Sequence, residues 1–246
     1  MRSLLTSLIL TAAAVLTPPA AALSYTVYTA EGKNTSALQQ LVHKLLPPAT
    51  EGASECRFLE LKTACNDVPQ AEIQAEAIEA GVTHLPCLVL ADDMGPYATL
   101  LLHGLTRQSI EQAATQATAP ERESKTEQRR FDSQLYLLFA RCAMEEPTAE
   151  TLDELVQESR LLLSHELCPK EMQQLIGLRC LYPLLMKQYA TGHTGAHTPA
   201  TEAKLLEAIA ALEAARDLDP ESATGKRAHD ERHRLRMARR EARKYE

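Results

Sequence analysis

Along residues 25–117 the apolar positions change period several times, and each change marks a new element. Tyr25-Thr26-Val27-Tyr28-Thr29 is aromatic and β-branched, which predicts a strand. From 35 to 46, Leu38, Leu41, Val42 and Leu45 recur at helical spacing and stop at Pro47-Pro48. Arg57 to Thr63 alternates Phe58, Glu60 and Lys62 against Leu59 and Leu61, the period-2 pattern of a second strand. Residues 70–80, with Ile73, Ala77 and Ile78 turned inward, predict a second helix ending at Gly81. Two apolar runs, Cys87 to Ala91 and Tyr97 to His103, flank Asp92-Asp93-Met94-Gly95-Pro96 and predict a hairpin. Thr106 then caps a helix carrying Ile110, Ala113 and Ala114.

The resulting order, β-α-β-α-β-β-α, describes an α/β domain over residues 23–118. Its strand-helix-strand unit requires parallel strands joined by a right-handed crossover, and the hairpin adds antiparallel strands at one side. The polar run with Pro120 predicts a linker at 119–126. From 127 to 246 every apolar pattern is helical: Phe131, Leu135, Leu138, Phe139 and Cys142 share one face, Leu152, Leu155, Val156, Leu162 and Leu163 another, and Met172, Leu175, Ile176 and Leu184 continue the series. Pro147 and Pro169 separate these helices. Two further helices, 201–218 and 221–244, follow a loop rich in Gly, Thr, His and Pro.

The ends of the chain change the picture more than its bulk composition does. Arg2, the apolar stretch Leu4 to Leu16, Pro18-Pro19 and Ala20-Ala21-Ala22 have the three-part layout of a secretory signal over residues 1–22. The apolar core is shorter than the roughly 20 residues that span a bilayer, and no later stretch approaches that length, so an exported periplasmic or secreted protein without a transmembrane segment is expected. The net charge of −7 argues against a nucleic-acid binder. Residues 226–244 nevertheless hold nine Lys or Arg against three acids, a basic terminal helix that either caps the helical domain or docks on an acidic surface.

Six cysteines occur, at 56, 65, 87, 142, 168 and 180, and none makes a CxxC or CxxxC spacing. An oxidising compartment permits bridges between them. Cys56 and Cys65 flank one strand about 30 Å apart when extended, and Cys168 and Cys180 lie about 18 Å apart along one helix, so neither pair can close. Cys142 and Cys180 lie at matching heights on two helices and are the predicted disulfide. The H-x3-H pairs His193/His197 and His229/His233 lack a third ligand, so no metal site and no cofactor is expected.

Three segments together resemble thioredoxin, in the order that family has them. Thr29-Ala30-Glu31-Gly32 resembles the end of its first strand, Gly81-Val82-Thr83-His84-Leu85-Pro86 before Cys87-Leu88-Val89-Leu90 resembles the segment with its cis proline, and His103-Gly104-Leu105-Thr106 resembles the turn into its last helix. The resemblance implies a thioredoxin-like fold with a groove at Leu85, Pro86 and Cys87. It also puts the family's dithiol motif on Lys33-Asn34-Thr35-Ser36, where Lys33 and Ser36 replace both cysteines. A lysine cannot attack a disulfide as a thiolate does, and a serine cannot resolve one. Ser36, with Asn34 and Thr35 beside it, is instead expected to cap the helix that follows.

In the helical part, Ala208, Leu212, Ala215 and Pro220 resemble the second helix of a tetratricopeptide repeat, with 170–190 as its partner helix. These readings imply an exported binding or scaffold protein, redox-inactive in its first domain, whose partner is another envelope or secreted protein. Two enzymatic readings stand beside it. One is a thiol-disulfide oxidoreductase or isomerase using the lone Cys87, and the other is a glutathione-transferase relative, a family that also joins a thioredoxin-like domain to a helical one.

Overall fold

The computed structural model describes residues 23–32, 35–46, 56–63, 67–115, 122–143, 147–192 and 198–242. Residues 1–22, expected to be a secretory signal, and Lys33, Asn34, Cys65, His193 and His197 lie outside the described residues. An N-terminal α/β region built on a mixed four-stranded sheet is followed by a helical region.

The sheet contains β1 (Ser24–Ala30), β2 (Arg57–Leu61), β3 (Cys87–Asp92) and β4 (Gly95–Leu101), in the spatial order β2-β1-β3-β4. β1 runs parallel to β2, with Tyr28 opposite Leu59, and antiparallel to β3, with Tyr28 opposite Cys87. β3 and β4 form the hairpin, but the strands reach further into the turn than their apolar residues indicate, leaving Asp93-Met94 as the two linking residues. Gly95 supplies the positive φ of +103° that this tight connection needs, and Pro96 is accommodated because β4 is an edge strand.

Both faces of the sheet are covered, as the near-continuous apolar run of β3 requires. Leu88 and Leu90 point with Tyr25 and Val27 toward α1 (Thr35–Leu45) and α3 (Arg107–Ala114), where Val42, Ile110 and Ala113 close a core. Cys87 and Val89 point with Tyr28 and Leu61 to the opposite face, against α2 (Val68–Glu79). Thr106 caps α3, its side chain accepting from the Ser109 N–H at 3.1 Å while Ser109 answers with an oxygen to the Thr106 N–H at 3.0 Å. Two buried glutamines of α2 tie down the end of β2: Gln70 accepts from the Lys62 N–H at 2.9 Å, and Gln74 donates to the Lys62 carbonyl at 2.8 Å.

The helical region comprises α4 (Arg122–Cys142), α5 (Ala149–Leu163), α6 (Lys170–Ile176), a π-helical turn (Gly177–Leu181), α7 (Tyr182–Gly192), α8 (Pro199–Leu218) and α9 (Ala223–Ala242). Helices α6 and α7 with the turn between them make one rod, which packs on α8, and α8 in turn carries α9. At that crossing Gly177 lets the two helices approach closely, since a Cβ there would sit 3.1 Å from the Ala215 Cβ. Buried Gln174 fastens the α8–α9 corner, donating to the Ala215 and Asp219 carbonyls at 2.9 Å each and accepting from the Ser222 hydroxyl at 3.0 Å.

Residues 122–126, read from composition as part of a linker, are the first turns of α4 and are firmly held. The Arg122 guanidinium grips the Asp92 carboxylate with two bonds of 2.7 Å and donates to the Gly95 carbonyl at 2.8 Å. Farther along, Arg129 donates to the Tyr97 carbonyl, Arg130 pairs with Glu79, and the buried Ser133 hydroxyl lies 2.7 Å from the Val82 carbonyl. Tyr136 and Leu137 complete this stripe by packing into the core beneath α2. The opposite stripe, Phe131, Leu135 and Leu138, enters the core of the helical region. A single helix thus closes both regions.

The Arg122–Asp92 clamp is a bidentate pair with side chains 12% and 8% exposed. Arg122→Ala is expected to cost about 3 kcal/mol, read from urea unfolding, because the Asp92 charge is left nearly buried and unpaired. The Arg122 hydrogen bonds hold the Asp92 carboxyl below its ordinary value of 3.8. A folded value below the unfolded one stabilises the fold fully above the unfolded value and progressively less as pH falls through the folded one. Wild type should therefore lose this increment on acidification below about pH 4, and Arg122→Ala should show a correspondingly flatter acid limb.

Candidate functional site

The carboxyl ends of the parallel strands β1 and β2 open onto one rim of the sheet, the place where open α/β sheets commonly take ligands. Because β3 is antiparallel to β1 with Cys87 opposite Tyr28, the segment before β3 arrives at the same rim. Four pieces of chain therefore meet there: Glu31 and Gly32 after β1, the first turn of α1, Lys62 after β2, and Leu85-Pro86 before β3.

The Leu85–Pro86 peptide bond is cis. The Pro86 carbonyl accepts from the Leu102 N–H at 3.2 Å, and just upstream the Thr83 hydroxyl and the His84 Nδ1 are 2.8 Å apart. Leu85 and Pro86 are half-buried, so part of each faces the rim. On the other side of the rim, the Gly32 N–H donates to the Glu60 carboxylate at 3.3 Å and Lys62 pairs with Glu31 at 3.1 Å. No motif marks either contact; the sequence signal lies in alternation, since Glu60 and Lys62 occupy the same side of a strand and Glu31 follows its parallel neighbour.

Thr35 and Ser36, half-buried and exposed respectively, belong to the first turn of α1. Ser36 thus lies within the first turn of α1, and the preceding positions 33 and 34 of the expected motif lie outside the described residues.

Cys87 is adjacent to the rim in sequence but not in exposure. Its side chain is 0% exposed and lies on the α2 face among Tyr28, Val82, Val89 and Leu137. Burial pushes the thiol up to about 12, against a smaller downward pull from a backbone hydrogen bond with Tyr28. A nucleophilic cysteine needs the opposite, a lowered value and an open approach. The arrangement is that of a core thiol.

The remaining candidates are dispersed. Cys142 at the end of α4 packs against the core cluster that contains Cys180 of the π turn, and both thiols are unbonded. His229 and His233 are exposed on one face of α9, and no group of three metal-binding side chains exists among the described residues. Three of the seven basic residues of α9 are turned onto α8: Arg232 and Arg236 both reach Glu213, and Arg239 reaches Glu202. Lys226, Arg227, Arg234 and Arg240 are exposed. Among the described residues no helix is long and apolar enough to cross a membrane.

The expected behaviour of Cys87 is silence toward alkylation. Iodoacetamide at pH 8 should leave it unmodified in the native protein and modify it on unfolding, as followed by peptide mass spectrometry. Fast native labelling of Cys87 would show an open, ionisable thiol at the rim.

No protein-family model, no characterised protein and no solved structure matches the chain.

Proposed function

We propose that the protein is an exported binding or scaffold protein whose N-terminal region is thioredoxin-like in fold but without redox chemistry, and whose helical region serves protein contact. The observation that carries this reading is the chemistry of the sheet rim. The cis Leu85–Pro86 bond, the first turn of α1 and the strand ends converge as in a thiol-redox groove, yet Ser36 stands in that turn and the neighbouring thiol of Cys87 is sealed in the core. What remains exposed is a half-buried apolar pair, Leu85 and Pro86, bordered by the Glu31–Lys62 ion pair. An apolar strip with a charged margin is suited to an extended peptide segment.

A second open groove, of about 500 Å³, runs along the other face of the sheet between α2 and β3, with Tyr28, Ile78, Val89 and Pro96 in its wall. The helical region adds the α6–α8 and α8–α9 pairs, whose buried Ala208, Leu212 and Ala215 support a tetratricopeptide-like local packing. The lone-thiol enzyme reading has burial of Cys87 against it, and the geometry offers nothing specific to a glutathione-transferase reading.

The reading is tested by two measurements on the mature chain. In a disulfide-reductase assay driven by dithiothreitol, turnover by Cys142→Ala, which leaves the α/β region untouched, should not exceed the protein-free blank. Cross-linked capture from a native envelope extract should retain a protein partner, and Lys62→Glu, which turns the rim pair into a repulsive one, should reduce that capture severalfold. Clear reductase turnover, or capture indifferent to the rim, contradicts the reading.

A further inference from the structure

The cysteines at 142 and 180 are brought together by two unrelated elements. Cys142 is the last residue of α4, and Cys180 lies in the π turn, where the Tyr182 N–H bonds back to the Gly177 carbonyl five residues earlier. Such wide turns are uncommon and recur at functional sites. Here the C-terminal end of α4 and the turn wall one cavity, Cys142 and Arg179 both lining it, and Cys142 packs against the core cluster that contains Cys180.

Their surroundings differ in a way that assigns them different roles. Cys180 is fully buried in the helical core. Cys142 is half-buried and lines an open cavity of about 430 Å³ walled by Phe139, Ala143, Met172, Leu175 and Arg179. One sulfur can therefore be reached from solvent, and the other is sealed in the core. The apolar floor and the Arg179 rim would admit a small disulfide carrying carboxylates.

We propose that Cys142 and Cys180 are a dithiol site that closes to a disulfide by exchange with a disulfide-bearing oxidant entering the cavity beside Cys142. The Cys142 thiolate attacks one sulfur of the oxidant, forming a mixed disulfide and releasing one thiol. The Cys180 sulfur, after loss of its proton, attacks the Cys142 sulfur and expels the second thiol. Two cysteine thiols are oxidised by two electrons, one oxidant disulfide is reduced to two thiols, and no other reactant is needed. The electrostatics agree with this order. The Cys180 hydrogen bond, with lesser help from the Arg141 and Lys187 charges, holds the Cys142 thiol below its ordinary value against burial and Glu158, whereas Cys180 is raised. The bond would tie α4, which also closes the sheet, covalently to the rod packed on α8. The inference stands on these thiols and is independent of the recognition reading above.

The test uses the full chain, reduced, freed of reductant, and incubated natively with oxidised glutathione before acid quenching, alkylation and peptide mapping. A linked Cys142–Cys180 peptide pair should become the main disulfide. In Cys180→Ala a glutathione adduct should accumulate on Cys142, and in Cys142→Ala the buried Cys180 should remain unmodified. Recovery of both wild-type cysteines as free thiols, a predominant bridge between other cysteines, or a glutathione adduct on Cys180 in Cys142→Ala would overturn the proposal. The wild-type map decides the bridge by itself, so a variant that fails to fold does not leave the question open.

Discussion

Helix α4 is amphipathic twice over, and the rest of the structure depends on how its two stripes are buried. Phe131, Leu135 and Leu138 complete the helical core, while Ser133, Tyr136 and Leu137 lie under α2 against the sheet. Approach on the sheet side is close enough that a side chain on Gly81 would meet the Arg129 Cβ at 2.5 Å, and Gly81 also holds a φ of +69°. Glycine is therefore required there on two counts. Without α4 the α2 face of the sheet would expose part of its apolar surface, and the helical core would lose a wall.

This helix also explains what was legible in the chain and what was not. The α/β order, the hairpin, the capped α3 and the apolar stripe of α4 all follow from periodicity, because their buried positions are filled by apolar residues. The sheet-facing stripe of α4 is filled by Arg122, Arg129 and Ser133, which a hydropathy pattern assigns to solvent. They are held instead by the Asp92 carboxylate and by the carbonyls of Tyr97, Ala77 and Val82. The buried glutamines at 70, 74 and 174 escape for the same reason, since each satisfies backbone groups that no local pattern reveals. Polar residues placed by long-range backbone partners leave no periodic trace.

The candidate site divides similarly. That Pro86 and the start of α1 approach each other follows from strand order, because β1 and β3 are antiparallel neighbours. The burial of Cys87 is decided by which face of β3 it occupies, and the same alternation places Leu88 and Leu90 on the other face. Helical spacing pairs Cys142 with Cys180 by height, whereas the π turn that carries Cys180 is not encoded in any periodicity. Chemistry and exposure are thus separated along the chain: the thiol nearest the rim is sealed, and a thiol remote from it opens onto a cavity. This separation is the physical basis for reading the rim as a recognition surface.

The central claim is that α4 makes the α/β and helical regions one cooperative unit that presents this rim. Pulsed alkylation across a urea gradient under reducing conditions measures it directly, with Cys87 reporting on the sheet and Cys168 on the helical core. Both residues should become reactive with the same midpoint and the same slope. Separate midpoints, with one region opening while the other stays protected, would contradict the account.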